Sequence, residues 1–391
     1  MAELPLQGIK VVEFTHMVMG PTVGVILADL GADVTKVEPL QGDNTRRLRG
    51  SGAGYFAMYN RNKKSLCLDL KSEQGSGIAR DLVLEADVLI ENFRPGAMDK
   101  LGFGYEELSA ANRGLVYCSA KGFLSGPYEH RTALDEVTQM MGGLAYMTGP
   151  PGQPLRAGSS VIDITGGMFG VIGILAALEQ RHRTGQGQHV VSSLYETTAF
   201  LVGQHMAQEA VLGEIPPPMS VRRSAWAVYD IFETKDGEKV FVGIVSDTQW
   251  MKFCEAFGFK EFAADEELAG NNGRVAARDR IMPAIQQHFA GLDKQALMDQ
   301  LEQTGLPFAP IARPHDLFED PHLNAAGGLL DVTLQTGDSA KLPAIPLEFG
   351  GRRMGLRRDV PAEGVDADAV LGEMGLAEGQ IASLREQGII R

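Results

Sequence analysis

Asp163 is the side chain whose surroundings most suggest chemistry. It lies in the segment VIDITGG (161–167), between a short apolar pair of residues and a long apolar stretch. An aspartate at this place could be a helix N-cap that accepts backbone N–H bonds. It could also be a nucleophile that attacks an activated acyl carbon and forms a covalent intermediate, with the adjacent glycines leaving space for a bulky substrate. The spacing alone does not decide between these two roles.

A second candidate region is the loop THMVMGP (15–21), which follows an apolar strand and precedes a helix. Glu38 ends the next strand, as in dinucleotide-binding folds. The loop lacks the G-x-G-x-x-G glycines that let a pyrophosphate approach the helix, so a nicotinamide dehydrogenase is disfavoured. His16 is a lone histidine in a strand-end loop, where a hydrogen-bonded structural role is commoner than a role as a base.

Charge and cysteine content exclude several classes of protein. The 391 residues carry 36 Lys and Arg against 50 Asp and Glu, a net charge of −14. A nucleic-acid binder needs a basic surface, but a local basic pocket for a small anion is compatible with this charge. Cys67, Cys118 and Cys254 have no metal-site spacing, so we expect no metal site and free thiols in a reducing compartment.

We expect a cytoplasmic protein. The N-terminal residues read as a first strand and not as a signal peptide. The longest apolar stretch, 168–178, has eleven residues, whereas a membrane-spanning helix needs about twenty. The sequence therefore predicts neither a membrane nor a nucleic-acid partner.

The elements that must position these residues alternate between strands and helices over the first 125 residues. Short apolar strands separated by helices favour an α/β fold with a mostly parallel sheet covered on both faces. Three prolines at 216–218 mark a break, and a hairpin with a turn at 235–237 follows. We predict a large domain over 1–215, to which 326–391 return, and a smaller α+β domain over 225–325.

In order and spacing, seven segments together resemble the class III coenzyme A transferases, the family that includes formyl-CoA transferase, crotonobetainyl-CoA:carnitine CoA-transferase and α-methylacyl-CoA racemase. The likeness extends over nearly the whole chain. The segments are LADLGADVTKVEP (27–39), GD-x-x-R (42–46), NRNKKSLCLDLK (60–71), ADVLIENFRPGAMDKLGFGYEEL (86–108), SAKGF (119–123), GPY-x-x-R-x-A-x-DEV-x-Q (126–139) and DITGGMFGVIGILAALEQRHRTGQGQHV (163–190).

The resemblance implies a set of site residues. Asp163 matches the catalytic aspartate of the family. Arg94, Lys100 and Lys121 could form charge-assisted bonds to phosphates, and Phe93 and Leu68 could cover an adenine. The implied coenzyme A contacts are Val18, Met19, Leu68, Lys71, Asn92, Phe93, Arg94, Lys100, Lys121 and Gly122. The resemblance also implies a Rossmann-like large domain, an interlocked homodimer, and no cofactor beyond the coenzyme A thioester that serves as substrate.

The reaction implied by the resemblance moves coenzyme A from a donor thioester to a carboxylic acid through anhydride and thioester intermediates on Asp163. Backbone N–H groups near 142–143 or 166–167 could stabilise the oxyanions. An α-methylacyl-CoA racemase is the alternative enzyme, but the segment TALDEV (132–137) lacks the histidine that the racemases carry there. A non-catalytic coenzyme A-binding protein is the third possibility.

The first loop also bears on the acceptor acid. Oxalate-specific members of the family carry a glutamine where this chain has Val18, and a valine cannot hydrogen-bond a compact dianion. Met17 and Met19 add flexible apolar surface nearby. We therefore expect an acceptor larger than oxalate, such as a C4–C6 dicarboxylate or a branched acid. Arg222 or Arg223 could pair with its distal carboxylate, or could simply be solvated.

Overall fold

The computed structural model of the protein describes residues 4–221 and 224–391. The chain divides into two compact units, Met1–Val221 together with Pro321–Arg391, and Arg222–Asp320. Arg222 and Arg223, which we considered for the distal carboxylate of an acceptor, lie outside the described residues.

A six-stranded sheet forms the centre of the first unit. Its strand order is β3-β2-β1-β4-β5-β6, and every neighbouring pair is parallel. This is the order of a Rossmann fold, in which the strand order reverses between β1 and β4 and leaves a crevice at the carboxyl ends of the strands. The strands are β1 (Lys10–Phe14), β2 (Asp33–Glu38), β3 (Lys64–Cys67), β4 (Val88–Glu91), β5 (Val116–Lys121) and β6 (His189–Ser193).

Helices cover both faces of this sheet, so its strands are apolar on both sides, as parallel strands usually are. One face packs on side chains such as Val83, Leu371 and Leu384. The other packs on Val23, Leu27 and Ile174. The helices of the first unit up to residue 221 are α1 (Met19–Asp29), α2 (Tyr55–Tyr59), α3 (Glu73–Leu84), α4 (Ala97–Lys100), α5 (Tyr105–Ala111), α6 (Asp135–Met141), α7 (Leu144–Thr148), α8 (Val161–Thr184) and α9 (Leu194–Leu212).

Helix α8 is longer than the apolar pattern predicts, because it begins at Val161 rather than at Ile164. The helix has 24 residues, and an 18-residue window of it has a mean hydropathy of 2.0, so by length and composition alone it could cross a membrane, as could the core helix of a soluble protein. The eleven apolar residues 168–178 are thus part of a longer helix, and the expected absence of a membrane partner stays a prediction. Gly167 and Gly170 bring α8 against α1, since a Cβ at either position would lie within 3.0 Å of Thr22 or Val23.

The second unit has its own sheet and core. Strands β7 (Tyr229–Glu233), β8 (Lys239–Gly243) and β9 (Phe308–Pro310) are antiparallel, and Gly237 makes the predicted turn with φ +73°. Trp250, Phe253 and Phe289 are fully buried beneath them. The helices are α10 (Asp247–Ala256), α11 (Lys260–Ala264), α12 (Asn271–Ala276), α13 (Arg278–Phe289) and α14 (Lys294–Thr304).

Residues 321–391 complete the first unit. Asp366 accepts a hydrogen bond from the backbone N–H of Ser65 (2.9 Å), and the N–H of Asp69 donates to Ile389 (2.9 Å). The elements are α15 (Pro321–Ala325), β10 (Leu329–Thr333), β11 (Ser339–Pro343), β12 (Glu348–Phe349), β13 (Arg352–Arg353), α16 (Ala367–Glu373) and α17 (Glu378–Glu386). The predicted α/β class, with a parallel sheet in the large unit and a smaller mixed unit, is confirmed; the interlocked homodimer stays a prediction.

Candidate active site

An open cleft lies at the carboxyl ends of β1, β4 and β5, where the strand order reverses. Its empty volume is about 1300 Å³. Eight of the eleven predicted site residues line it, namely Val18, Met19, Asn92, Phe93, Arg94, Lys121, Gly122 and Asp163. Residues from four separate segments of the chain therefore meet at the position that the parallel topology favours for a ligand.

The loop after β1 forms one wall of the cleft and is held rigidly. Asn92 accepts a hydrogen bond from the His16 N–H (3.0 Å) and donates to the His16 carbonyl (2.8 Å). Met17 has a positive φ of +63° and donates its N–H to the Thr45 hydroxyl (3.0 Å). Loss of solvation at the cleft lowers the pKa of His16, whose ring lies against Phe93 with centroids 5.7 Å apart. The amide of Asn92 is thus occupied in fixing the loop.

Val18 and Met19, the next two residues of this wall, can offer a ligand only their backbone groups. The side chains of Val18 and Met19 are 1% and 4% exposed. Met19 packs with Ile162 and Leu194, and a Cβ on Gly166 would lie 2.8 Å from its terminal methyl. The loop therefore contacts the first turns of α8 directly, which couples the two walls of the cleft.

A buried ionic network lies beneath the loop. The ammonium of Lys36 contacts the Thr15 carbonyl (2.6 Å), Asp43 (3.2 Å) and Glu13 (3.6 Å). Lys63 contacts Glu13 at 2.8 Å. Asp43 in turn accepts hydrogen bonds from Thr45, the residue that holds Met17. We interpret this network as the support of the loop, because every charged group in it has an opposite charge within reach.

Asp163 is the third residue of α8, and its carboxylate is not used as a helix cap. The N–H groups of Ile162 and Asp163 donate instead to one carboxylate oxygen of Asp135, at 2.9 and 3.2 Å. Ser160 occupies the N-cap position without a side-chain cap bond. The capping role that the sequence left open for Asp163 therefore belongs to Asp135, a residue from α6.

The surroundings of Asp163 disfavour its ionised form. Burial and the nearby Asp135 carboxylate raise the pKa of Asp163 to about 7, and Arg156 opposes them. Tyr59 of α2 faces the same group: burial, and then the negative charge of Asp163, raise the pKa of Tyr59 to about 12. A carboxylate with a raised pKa is a stronger base and nucleophile than an ordinary aspartate.

Two cations predicted to bind phosphates differ in their availability. Arg94 is exposed at the cleft. Lys121 is largely committed, because its ammonium contacts Glu91 (2.7 Å) and the Phe93 carbonyl (2.8 Å). Lys121 thereby positions Phe93, whereas Arg94 and Arg131 present their guanidinium groups at the cleft. Gly122 is required for space, since a Cβ there would lie 2.4 Å from Ala133.

Three predicted contact residues do not line the cleft. Leu68 is 1% exposed, belongs to the main core and forms an isolated bridge with Ile390. Lys71 and Lys100 are exposed on the surface. The predicted roles of these three residues stay predictions, and any contact they make would involve a ligand that extends beyond the cleft.

Four site residues were not predicted as such from the sequence: Asp135, Arg156, Tyr55 and Tyr59. Asp135 and Arg156 form an ion pair of 3.2 Å, and the Tyr55 hydroxyl lies 3.5 Å from the Ser160 hydroxyl. Asp135 lies in the segment DEV (135–137), but nothing in its spacing indicates that it caps a helix that starts 26 residues later.

No cluster of three or more His, Cys, Asp or Glu residues within 4–221 and 224–391 could hold a metal ion.

The chain is similar in sequence and in fold to known proteins. Residues 6–367 match the family model described as CoA-transferase family III. The succinate–glutarate CoA-transferase of Agrobacterium fabrum is 33% identical over 385 residues, which cover 95% of this chain and 96% of that protein. The acetyl-CoA:oxalate CoA-transferase of Acetobacter aceti is 38% identical, over 89% of this chain and 90% of that protein. The crystal structure of a CAIB/BAIF family protein from Brucella suis superposes with a TM-score of 0.83 at 35% identity, covering 95% of this chain and all of that one.

Proposed function

Since the chain belongs to CoA-transferase family III and is an enzyme that transfers coenzyme A, we propose that Asp163 is its nucleophile and that the acceptor is a carboxylic acid larger than oxalate. The assignment of Asp163 as the nucleophile rests on its carboxylate, which lies at the cleft without a described hydrogen bond. Its helix end is capped by another residue, and its pKa is raised. A half-buried carboxylate without a structural task is a candidate for covalent chemistry.

The proposed reaction runs through three intermediates on Asp163. A carboxylate oxygen attacks the thioester carbon of the donor, the C–S bond breaks, and coenzyme A leaves as its thiolate. The thiolate then attacks the side-chain carbonyl of the resulting anhydride, which releases the donor acid and leaves an aspartyl-CoA thioester. The acceptor carboxylate displaces the thiolate to form a second anhydride. The thiolate then attacks the acceptor's acyl carbon, which yields the new thioester and frees Asp163.

No resident cofactor is required by this scheme, because the free energy of the thioester is kept in covalent intermediates. The thiolate must remain near Asp163 between steps. The rigid first loop and the guanidinium groups of Arg94 and Arg131 support retention of a large anionic thiol at the cleft. The expected oxyanion sites are reduced by the fold: the Gly142 N–H donates to the Thr138 carbonyl (2.8 Å), and Gly166 and Gly167 lie inside α8, where N–H groups donate to the preceding turn. Of the expected donors, the N–H of Gly143 stays the candidate.

The larger acceptor is supported by the apolar side chains at the cleft. Met17 and Leu134 line it and are 38% and 62% exposed, whereas Val18 presents no polar group. A compact dianion that faced Met17 and Leu134 would leave its oxygens without hydrogen bonds, at a cost of about 1–3 kcal/mol for each unmet group; the Val18 side chain itself is buried. Relatives named for oxalate and for glutarate both exist, so the family alone does not choose the acid.

Hydroxylamine trapping during turnover tests the nucleophile. With succinyl-CoA as donor and a carboxylic acid as acceptor, we expect a hydroxamate on the peptide that contains Asp163, detected by mass spectrometry. The Asp163→Asn variant is the matched control and should yield none. A hydroxamate on another carboxyl, or transfer by the Asn variant at a rate near that of the unchanged chain, would contradict the assignment.

A competition assay tests the acceptor separately. Oxalate, succinate, a methyl-branched dicarboxylate and a monocarboxylate are supplied at equal concentration, and the new thioesters are quantified. We expect the larger dicarboxylates or the branched acid to be used first. If oxalate wins, the argument from Val18 is wrong, while the assignment of Asp163 is unaffected.

We further propose that the enzyme acts as a homodimer in the cytoplasm. Large apolar side chains on α9 and after it support an association, among them Phe200, Val211 and Ile215, which are 71%, 81% and 74% exposed. Sedimentation analysis at micromolar concentration would show a single dimeric species. A monomer under those conditions would contradict the proposal.

A further inference from the structure

We infer that Asp135 is a positioning residue of the reaction, which caps α8 in place of Asp163 and holds a negative charge beside it. The inference rests on the proposed role of Asp163 as the nucleophile. It concerns a residue that touches neither the thioester nor the acid and acts only through Asp163.

The hydrogen bonds of Asp135 show how its two oxygens are divided. One oxygen accepts from the backbone N–H groups of Ile162 (2.9 Å) and Asp163 (3.2 Å). The other accepts from the Gln139 amide (2.6 Å) and the Arg156 guanidinium (3.2 Å). The residue is 8% exposed. Four donors fix this carboxylate in one orientation, as an acceptor without a proton of its own to donate.

Because Asp135 accepts these bonds, the Asp163 carboxylate is not needed as a cap for α8. The first N–H groups of a helix lack partners within the helix, and an acid near that end is a common partner for them. Here the N–H groups at positions 162 and 163 already donate to Asp135. No hydrogen bond to the Asp163 carboxylate joins it to another described residue, so its oxygens are available to attack a carbonyl carbon.

The titratable groups that face Asp163 come from three elements. Helix α6 contributes Asp135, and the segment before α8 contributes Arg156. Helix α2 contributes the uncharged phenols of Tyr55 and Tyr59. The exposed Glu136, one residue after Asp135, lies 4.0 Å from Arg156 and is not among the groups that shift the pKa of Asp163. Asp135 is the anion that disfavours ionisation of Asp163. When Asp163 becomes a neutral anhydride, this repulsion disappears, so the fixed charge raises the energy of the reactant carboxylate relative to the covalent intermediate.

The test measures the protonation of Asp163 in the resting protein. Infrared difference spectra between each protein and its counterpart carrying Asp163→Asn isolate the band of the Asp163 carboxyl, which is followed against pH. We expect a midpoint near 7 in the unchanged chain. Asp135→Asn keeps an acceptor oxygen and removes the charge, and we expect it to lower the midpoint by about one unit or more. Glu136→Gln, which removes a charge from the adjacent residue, should leave the midpoint close to that of the unchanged chain.

Activity provides a second readout. The rise of kcat/KM with pH should move to lower pH in Asp135→Asn together with the infrared midpoint. At high pH, where Asp163 is ionised in both proteins, the variant should be slower because its carboxylate is the weaker base. Circular dichroism checks folding, and Asp135→Ser, which supplies a hydroxyl acceptor to the same helix end, replaces the Asn variant should that variant fail to fold.

The outcomes are distinguishable. An unmoved midpoint in a folded Asp135 variant, or an equal shift in Glu136→Gln, overturns the role of Asp135 even if Asp163 is the nucleophile. Transfer by Asp163→Asn overturns the proposed function, while a shifted midpoint would still show that Asp135 controls the carboxyl. A shift in Asp135→Asn alone, with slower transfer at high pH, supports the inference.

Discussion

Two groups of buried acids lie close to the cleft, and they differ in whether a cation pairs with them. Glu13 and Asp43, beneath the first loop, each have a lysine within 3.2 Å. Asp163, at the start of α8, is close to the Asp135 carboxylate, and burial together with that negative charge raises the pKa of Asp163 to about 7. Buried charges that support a fold are paired, since an unpaired one costs several kcal/mol. The absence of such pairing at Asp163 is the contrast on which our proposal of Asp163 as the nucleophile rests.

The largest effect that we predict comes from the unpaired acid. Asp163→Asn should lower the rate of transfer by about a thousandfold or more, as loss of a covalent nucleophile does in other enzymes. The variant should remain folded, because no described hydrogen bond of the carboxylate is lost. Steady-state kinetics measures the loss of transfer, and thermal unfolding measures the stability of the variant. A large fall in Tm would show that Asp163 is a structural acid like Glu13 and Asp43.

The paired acids should show the reverse pattern, with stability affected first. Lys63→Met leaves Glu13 buried without its closest cation and should lower the free energy of unfolding by about 3–5 kcal/mol. Lys64→Met is the matched control on the adjacent residue, because Lys64 pairs with the exposed Asp33 and Glu373 and should cost at most about 1 kcal/mol. Urea unfolding measures both, and equal losses would contradict the distinction between the two regions.

The pH dependence should separate the two regions again. Since the nucleophile must be ionised, kcat/KM should rise with pH through about 7.

Folding favours the protonated form of Asp163, so the stability that Asp163 contributes is present below about pH 4 and is lost as the pH rises to about 7. The stability of the unchanged chain relative to Asp163→Asn should therefore fall over this range. A difference that increases with pH would mean that Asp163 is paired in the folded protein.

A smaller effect should distinguish the cations at the cleft from those outside it. Arg94→Ala should raise the KM for the coenzyme A ester by about tenfold with little change in kcat, because a phosphate contact is made in both ground and transition states. Lys100→Ala, which we first expected to act similarly, lies away from the cleft-lining residues and should have the smaller effect. The reverse order would show that the phosphates bind near α4.

The elements of the large unit could be predicted from the sequence because each has a local signal. Ser72, a good cap residue by type, caps α3 by accepting from the Gly75 N–H at 3.0 Å. Five of the six strands lie within one residue of their apolar stretches, whereas the alternating stretch 65–70 predicts a longer β3 than the observed Lys64–Cys67. The start of α8 was placed three residues late, since Asp135, which accepts the hydrogen bonds of its first turn, is remote in sequence. Lys121 was predicted to bind phosphate, but its pairing with Glu91 depends on two strands meeting side by side. Such contacts between distant segments have no local pattern.

The return of residues 321–391 to the first unit has a consequence for the order in which the chain folds during synthesis. The outer side of β3 acquires its partners Asp366 and, just beyond the strand, Ile389 only after the whole of Arg222–Asp320 has been made. Until then a nascent chain presents an unpaired parallel edge, the kind of surface that promotes aggregation. We therefore expect this edge to be exposed to wrong partners until residues 366–389 have been made.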